Sequence, residues 1–536
     1  MEEVTDRIAA GETAAQIVEK AKAEGTGYKA SVEQMYYGNQ QFLFVYEQFD
    51  DVRLVAAPPS SIGKFGGDTD NWIWPRHTGD FSMFRVYASK DNRPAAYSPQ
   101  NVPYRPKKHF SISTKGVKEG DFTMIYGFPG NTQEYILSDA AAYIAERSDP
   151  AKIAVRTGRL DIITKAQESD PALRIHYAAK HASIANAWKK WQGEALGIDR
   201  RGTVAAKFDY ETQFGLWSVG RPEYAGVVMG LRAEYDRIMD AYFAYEITRE
   251  TLSTLPAAYT PEERSEECFA RRKFAEQALW RHAFREYGRC PKVYRTPSYA
   301  EGMARYKSPE AYADALFEAV WEGSDSVAMQ PAVRLREETK RMLDHISWML
   351  GTKSLRNLNS KILNELYTTY IKGLREWDRE RAFYPDANLT LRVAYGSVAG
   401  YEYADGEYHK PQTTLDGIIA KDNPEIYDYD IPQSLRDLYA SKNYGRWGTV
   451  IDGRRTVPVC FLATNHTTGG NSGSPVLNAG GELIGINFDR TWRSTMSDIA
   501  YDPAICRNIA VDIRYVLFVV DRVGGAGYLL KEMTLK

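Results

Sequence analysis

Cysteine and histidine are both scarce in this chain of 536 residues. Its four cysteines form no C-x-x-C pair, which excludes a disulfide-rich scaffold and argues against a zinc knuckle or a thioredoxin-like motif. Its eight histidines include none before His77, and no H-E-x-x-H cluster occurs. No G-x-x-x-x-G-K-S/T segment occurs either, which argues against a kinase or an NTPase. We therefore expect neither a bound metal nor any other cofactor.

An excess of one charge and long apolar runs are also missing. Lys and Arg number 68 against 70 Asp and Glu, a net charge of -2, whereas general nucleic-acid binders usually carry a basic excess. No apolar run reaches about 18 residues, so we expect no membrane span. Residues 1–25 are charged and helical in pattern, unlike a secretory signal peptide, which taken literally indicates a cytosolic chain. The competing interpretation is that Met1 is not the natural start and that an exporting segment is missing.

The hydrophobic pattern changes twice along the chain. Short strand-like runs between Gly, Pro, Asn and Asp clusters predict β structure at 41–45, 52–55, 81–87 and 122–126. The spacing becomes helical from about residue 133, and strand patterns return beyond Pro385 and Asn388. The order β, α, β predicts either separate domains or one β domain with a helical insertion. The boundaries that follow are 1–132, 133–389 and 390–536.

Two apolar stripes in the helical block predict helix faces that pack against other helices. Their members recur at steps of three and four residues, as expected for one side of an α-helix. The stripes are Val228, Leu231, Tyr235, Ile238, Tyr242 and Tyr245, and then Leu355, Leu358, Ile362, Leu366, Tyr370 and Leu374.

The most specific local motif is Gly-Gly-Asn-Ser-Gly-Ser-Pro at residues 469–475. Glycines on a tight loop permit unusual backbone angles and let a substrate backbone approach closely. Ser472 is the candidate nucleophile, and the amides of Gly470 and Ser472 are candidate donors to an oxyanion. The alternative is a Gly/Ser hairpin without chemistry. The surrounding strands fit a chymotrypsin-like serine protease loop better than an α/β hydrolase, in which a helix follows the serine.

A chymotrypsin-like interpretation requires a triad in the chain order His, Asp, Ser. Asp80 is the best candidate for the acid, because we expect it to start an alternating strand of the first barrel. On its own, an aspartate after a glycine is more often a turn cap.

The chain as a whole resembles the S46 family of bacterial dipeptidyl-peptidases. The resemblance runs from about Gly27 to the C-terminus and rests on long Trp-, Pro- and Gly-rich strings at 58–72, 74–80, 464–475, 488–490 and 511–518. It implies an α+β multi-domain fold, a chymotrypsin-like double β-barrel with a large α-helical domain inserted between the barrels. It also implies oligopeptide substrates with a free N-terminus, a homodimer, and a periplasmic or cell-surface location for the full-length protein.

The resemblance assigns roles at single positions. Ser472 matches the family's nucleophile and Asp80 its triad acid. Asn71, Trp72, Asn186 and Asp489 match the residues that hold the substrate's free α-amino group. A carboxylate and amide carbonyls can accept hydrogen bonds from an ammonium, which agrees with that role. Without the resemblance, Asn186 would be read as a solvated residue on a helix face.

Arg490 is the candidate specificity residue. An arginine at this position is found in members of the dipeptidyl-peptidase 11 type, which prefer Asp or Glu at P1, the residue before the scissile bond. A guanidinium can bind such a carboxylate in bidentate fashion. The alternative for the residue is an exposed arginine beside Asp489. The alternative for the chain is the dipeptidyl-peptidase 7 type, which prefers apolar P1 residues and has glycine here.

The catalytic histidine is where the sequence departs from the family. It should lie well upstream of Asp80, yet residues 1–76 contain no histidine. His77 is too close to Asp80, and His466 has the wrong place in the chain order. The simplest explanation is a truncated front of the first barrel, and we expect this chain to be weak or inactive. Two functional classes remain open: a serine exopeptidase, and a non-catalytic protein that binds peptides.

Overall fold

The computed structural model describes residues 1–25, 28–323, 326–352, 355 and 357–536. The chain divides into two compact units. The first unit comprises Met1–Tyr135 and Ala382–Lys536, and the second unit is Ile136–Arg381. Both ends of the sequence therefore belong to one unit, and the segment between them forms the other. The four cysteines are buried.

Every strand of the described chain lies in the first unit. The strands are β1 (Glu2–Glu3), β2 (Tyr28–Met35), β3 (Gln40–Glu47), β4 (Val52–Ala56), β5 (Met83–Ala88), β6 (Val102–Pro103), β7 (Phe122–Gly127), β8 (Arg392–Ser397), β9 (Tyr401–Ala404), β10 (Glu407–His409), β11 (Gln412–Thr414), β12 (Thr449–Ile451), β13 (Arg454–Thr456), β14 (Pro458–Ala463), β15 (Pro475–Leu477), β16 (Leu483–Arg490) and β17 (Asn508–Asp512). The strands predicted at 41–45, 52–55 and 122–126 are confirmed as parts of β3, β4 and β7. The prediction at 81–87 overlaps β5.

A seven-stranded antiparallel sheet forms the centre of the first unit. Its order is β11-β14-β17-β16-β15-β7-β8, so a strand of the N-terminal segment is inserted among strands of the C-terminal segment. In register, Ile125 of β7 pairs with Val476 of β15 on one side and with Ala394 of β8 on the other. Strand β14 is buried along its whole length, which accounts for its unbroken apolar sequence.

The ends of β8 and β14 also approach each other. An antiparallel bridge joins Val398 to Ala463, and the amide of Thr464 donates to the carbonyl of Ser397 at 2.9 Å. No closed barrel is found among the described strands. The structure confirms a mixed fold of helices and sheets, whereas the double β-barrel stays a prediction.

Two smaller sheets complete the N-terminal segment. Strands β1, β3 and β2 form one of them, and its apolar face packs on Ile17 and Ala21. Those two residues lie on a helix whose N-terminus is fixed by a capping box at Thr13, with reciprocal hydrogen bonds to Gln16. The second sheet has the order β4-β5-β6.

The helices are α1 (Thr5–Ala9), α2 (Ala14–Ala23), α3 (Ser60–Gly63), α4 (Ser138–Tyr143), α5 (Asp149–Ser169), α6 (Pro171–Arg200), α7 (Thr203–Ser218), α8 (Val227–Glu250), α9 (Pro261–Ser265), α10 (Lys273–Tyr287), α11 (Pro297–Tyr306), α12 (Pro309–Glu322), α13 (Ser326–Leu350), α14 (Lys361–Trp377), α15 (Leu415–Lys421), α16 (Gln433–Ser441) and α17 (Ile513–Phe518). Helices α4 to α14 lie in the second unit. In the part of the chain that the structure describes, none of them is long and apolar enough to cross a membrane.

The first predicted helix face is confirmed, and the second is confirmed in part. In α8, Leu231, Tyr235 and Ile238 are fully buried, as the spacing indicated. In α14 the predicted members Tyr370 and Leu374 are buried, whereas Ile362 is exposed. The reason is the N-cap at Ser360, whose hydroxyl accepts from the amide of Leu363 and starts the helix after Leu355 and Leu358. Those two leucines are buried outside the helix.

Candidate active site

The motif at residues 469–475 lies in the loop that joins β14 to β15. Ser472 is exposed there, and its hydroxyl donates to the carbonyl of Phe488 at 3.3 Å. The loop is tied to β16 because the amide of Gly473 donates to Asn487 O at 2.8 Å and the amide of Asn487 donates to Ser474 O at 2.9 Å. These bonds hold the serine beside the end of β16.

Gly470 occupies a position that only glycine fits. Its φ of 106° lies in the left-handed region, and a Cβ there would be 2.3 Å from the carbonyl oxygen of Phe128. The amide of Gly130 donates to Gly469 O at 2.6 Å, so the two loops pack backbone against backbone. Among the described residues, the amides of Gly470 and Ser472 have no hydrogen-bond acceptor. Both donors are therefore available to an oxygen of a bound substrate.

The sequence predicted Asp80 at the start of a strand. The structure places it in the loop just before β5, which begins at Met83. The carboxylate is exposed, and the described residues give it no hydrogen-bond donor. Removal of water by surrounding protein atoms raises the pKa of Asp80, Arg76 opposes that rise, and the negative charge of Asp489 adds to it. The structure thus places Asp80 in the electrostatic field of the Asp489 carboxylate.

The carboxylate of Asp489 accepts three described hydrogen bonds. Its Oδ2 accepts from Arg76 Nη1 at 2.7 Å and from the amide of Trp72 at 3.2 Å, and its Oδ1 accepts from the amide of Arg490 at 2.8 Å. The side chains of Arg76 and Asp489 are only 8% and 10% exposed. Trp72 has a φ of 67°, a left-handed conformation that a tryptophan adopts only when its surroundings impose it.

The other predicted amine-binding residues are Asn71 and Asn186. Asn71 is half-buried and precedes Trp72 in the same loop. Asn186 is an exposed residue of α6 in the second unit.

Arg490 is buried, which contradicts the alternative of an exposed flanking arginine. Its Nη1 and Nη2 donate to the two carboxylate oxygens of Asp498 at 2.7 and 2.9 Å, a bidentate pair. Further donation goes from Nη1 to Ser497 Oγ at 2.9 Å, and the guanidinium lies 5.6 Å from the centre of the Trp72 ring. A fixed guanidinium thus lies directly after Asp489 on β16.

The described contacts of the first unit's histidines do not include Ser472 or Asp80. His466 contacts Ser497 O at 2.9 Å through Nε2 and Glu134 at 3.4 Å through Nδ1, and burial lowers its pKa to about 4. His77 is buried against Gly417. The Nε2 atom of His109 forms a hydrogen bond with Thr534, and that of His409 forms one with Glu407.

Sequence reasoning missed two residues that the structure places in the site. Arg76 lies inside the string Trp-Pro-Arg-His-Thr-Gly-Asp that carried the resemblance. An arginine in such a segment needs an acidic partner when it is buried, and this could have pointed to the site. Asp498 carries no motif, and only the structure shows it opposite Arg490.

The Peptidase S46 family profile matches residues 2–268 and 262–535 of this chain. The chain therefore belongs to the Peptidase S46 family.

Within that family, the chain is similar to relatives named Asp/Glu-specific dipeptidyl-peptidase. One from Capnocytophaga gingivalis is 42% identical over 97% of this chain and 78% of its own length. One from Flavobacterium psychrophilum is 43% identical over 94% of this chain and 75% of its own length. The crystal structure of Porphyromonas endodontalis DPP11 superposes with a TM-score of 0.86 at 32% identity, covering 100% of this chain and 84% of that one.

The buried histidine beside the site predicts a pH dependence of stability. Burial lowers the pKa of His77 to about 3, with Lys421 contributing, whereas an unfolded histidine titrates near about 6.5. Between those values the unfolded chain binds more protons, so lowering the pH through this window destabilises the folded first unit. We expect His77→Leu to lose less stability than the wild type between about pH 6.5 and 4 in chemical denaturation.

His109→Leu is the matched control, because His109 is exposed. Parallel pH profiles for wild type and His77→Leu would contradict the prediction.

Proposed function

We propose that this chain is a serine exopeptidase that releases dipeptides from the free N-terminus of oligopeptides and prefers Asp or Glu at P1. One observation carries the proposal: the hydroxyl of Ser472 bonds to the carbonyl of Phe488, and the next two residues are the carboxylate Asp489 and the guanidinium Arg490. The candidate nucleophile thus contacts the end of β16, where the proposed anchors for an ammonium and for a carboxylate are consecutive residues. The names of the relatives support this substrate class.

In this proposal Ser472 attacks the carbonyl of the second residue of the peptide. The amides of Gly470 and Ser472 donate to the oxyanion that forms, a contribution worth about 3 to 4 kcal/mol per donor in comparable sites. In a complete triad the proton of Ser472 would pass to an imidazole oriented by Asp80, that imidazole would protonate the leaving amine, and water would then hydrolyse the acyl-enzyme to release the dipeptide. The described histidine contacts of the first unit supply no such imidazole. Asp80 is exposed and has no described donor, which leaves its carboxylate available to such an imidazole.

The position of the cut is measured from the substrate's α-ammonium. Asp489 accepts three described hydrogen bonds, and a carboxylate offers about four acceptor sites, so one remains for the ammonium. Asn71 and Trp72 belong to the same loop as its backbone donor. The role of Asn186 in holding the amine rests on the family resemblance alone.

Arg490 is proposed to bind the P1 carboxylate. Asp498 holds the guanidinium in one orientation, which lowers the entropy that substrate binding must otherwise fix. A crystal structure of P. endodontalis DPP11 in complex with the dipeptide Arg-Glu superposes on this chain with a TM-score of 0.83. By analogy we place an acidic P1 side chain at Arg490.

We also propose the finer architecture that the resemblance implies. The approach of β8 to β14 supports closure of strands β14, β17, β16, β15, β7 and β8 into a chymotrypsin-like C-terminal barrel. The domain bounds stay those of the sequence prediction, 1–132 for the N-terminal barrel, 133–389 for the inserted helical domain and 390–536 for the C-terminal barrel, except that β7 would contribute to the C-terminal barrel. A homodimer and a periplasmic or cell-surface location are proposed from the family resemblance alone.

A second candidate function is favoured by the histidine contacts. The described contacts of His77, His109, His409 and His466 do not include Ser472 or Asp80. A protein with the amine and carboxylate anchors but no general base at the serine would bind peptides without turning them over.

We expect the purified chain to hydrolyse a dipeptidyl reporter ending in Glu slowly, since loss of a triad member costs about three to six orders of magnitude in rate. Added imidazole is expected to raise the rate by supplying a base next to Ser472, and Ser472→Ala is expected to abolish that gain. The measurement is fluorogenic release with and without imidazole. Robust turnover in its absence would contradict the expectation of weak activity and remove the second candidate function.

Dipeptide binding tests the P1 preference without requiring turnover. We expect Arg-Glu to bind about ten-fold or more tightly than Arg-Leu in calorimetry, and Arg490→Gly to remove that difference, because the carboxylate loses its charge-assisted partner. Arg493→Gly is a matched control: it removes an arginine of the same segment that lies 4.0 Å from the centre of the Tyr403 ring. A wild-type preference for Arg-Leu would favour the dipeptidyl-peptidase 7 type, and an unchanged preference in Arg490→Gly would refute the role of Arg490.

A further inference from the structure

One guanidinium serves two carboxylates that the proposed reaction uses for different purposes. Arg76 Nη1 donates to Asp489 Oδ2 at 2.7 Å, and the same arginine acts electrostatically on Asp80. Asp489 anchors the substrate's ammonium in the proposed function, and Asp80 orients the base. Arg76 and Asp80 lie in the same loop before β5. One segment therefore carries both the proposed triad acid, Asp80, and the cation that pairs with Asp489.

Arg76 is held rigidly. Its Nε donates to Thr78 Oγ1 at 2.7 Å, and that hydroxyl in turn donates to the carbonyl of Phe65 at 2.9 Å. The guanidinium also lies 5.2 Å from the centre of the Phe488 ring. These contacts fix the guanidinium against the backbone of β16, where Phe488 accepts the hydroxyl of Ser472.

The charges of this group do not balance without a substrate. Asp80 and Asp489 carry two negative charges, and the charge of Asp489 raises the pKa of Asp80. Arg76 supplies one positive charge in the ion pair that the described residues form with Asp489. The α-ammonium of a bound peptide would supply the second.

We propose that Arg76 is a positioning residue that aims Asp489 at the substrate's α-ammonium, because its ion pair with Asp489 and its tether to Thr78 hold that carboxylate in one orientation. This inference rests on the proposed amine-binding role of Asp489. Arg76 touches neither the scissile bond nor the nucleophile. It acts by keeping Oδ2 engaged, which leaves a defined acceptor for the ammonium.

The proposal predicts what happens to Asp489 when Arg76 is removed. Removal of Arg76 leaves Asp489 buried with its two backbone donors and without a cation, and an uncompensated buried charge is strongly unfavourable. Asp489 then takes up a proton or turns away, and in either case the site stops distinguishing an ammonium from a neutral amide. A purely structural tether between Arg76 and Thr78 would instead lower stability and leave that distinction intact.

The test compares the dipeptide Arg-Glu with N-acetyl-Arg-Glu, which has the same side chains but no α-ammonium. Binding to the full chain is measured by calorimetry at neutral pH, so turnover is not required. We expect the wild type to prefer the free amine about ten-fold or more, Arg76→Met to lose that preference, and Arg76→Lys to regain part of it by restoring the charge.

Arg514→Met is the matched control, because Arg514 forms a comparably buried pair with Asp512, 2.7 Å apart, and its described hydrogen bonds go to Asp512 and not to the proposed site. Thermal unfolding of each variant shows whether it is folded. Free-amine preference retained in folded Arg76→Met, or lost equally in Arg514→Met, would overturn the inference. If Arg76→Met does not fold, Arg76→Lys decides: a preference lower than in the wild type but still present supports the inference, and an unchanged or absent one refutes it. A wild type that binds both ligands equally would instead refute the proposed function.

Discussion

The pairing of β7 with β15 and β8 is the constraint on which the first unit depends. This strand comes from the N-terminal segment, yet it pairs on both sides with strands that lie hundreds of residues later. The turn after β7 therefore meets the loop of Ser472, where Gly130 donates to Gly469. Without that pairing, the serine loop would lose the backbone against which Gly470 packs.

Buried charges organise the rest of the site. Taking a charge out of water is costly unless a partner and hydrogen bonds compensate it, and both charged residues at the end of β16 have such partners. Asp489 is paired with Arg76, and Arg490 is paired with Asp498. The pairs leave an anionic and a cationic group at fixed positions on consecutive residues. In the proposed function these two groups bind the ammonium and the P1 side-chain carboxylate of the substrate.

Much of the fold could be predicted from local pattern. The strands at 41–45 and 122–126 and the buried face of α8 follow directly from hydrophobic periodicity. The C-terminal part of the α14 face, Tyr370 and Leu374, was also predicted, but its start was not, because the cap at Ser360 and not the preceding apolar repeat sets where the helix begins. The pairing of β7 with distant strands also could not be predicted, since register between remote segments depends on tertiary packing.

The candidate site shows the same limits. Ser472 and Asp489 could be found from their motifs, and the structure places the hydroxyl of Ser472 against the residue before Asp489. Asp80 was assigned to a strand start and lies in a loop, because β5 begins only at Met83. The roles of Arg76 and Asp498 were not predicted, because a motif shows which residues are present but not which charged side chains pair with each other.

The central claim is that Asp489 binds the α-ammonium and Arg490 binds the P1 side-chain carboxylate of an N-terminal dipeptide beside Ser472. The most direct measurement is a crystal structure of the chain with Arg-Glu bound. The account predicts the α-ammonium within hydrogen-bonding distance of Asp489 and the glutamate side chain at Arg490, with the C-terminal carboxylate near Ser472. A dipeptide bound in the reverse direction, or bound away from both residues, would contradict it.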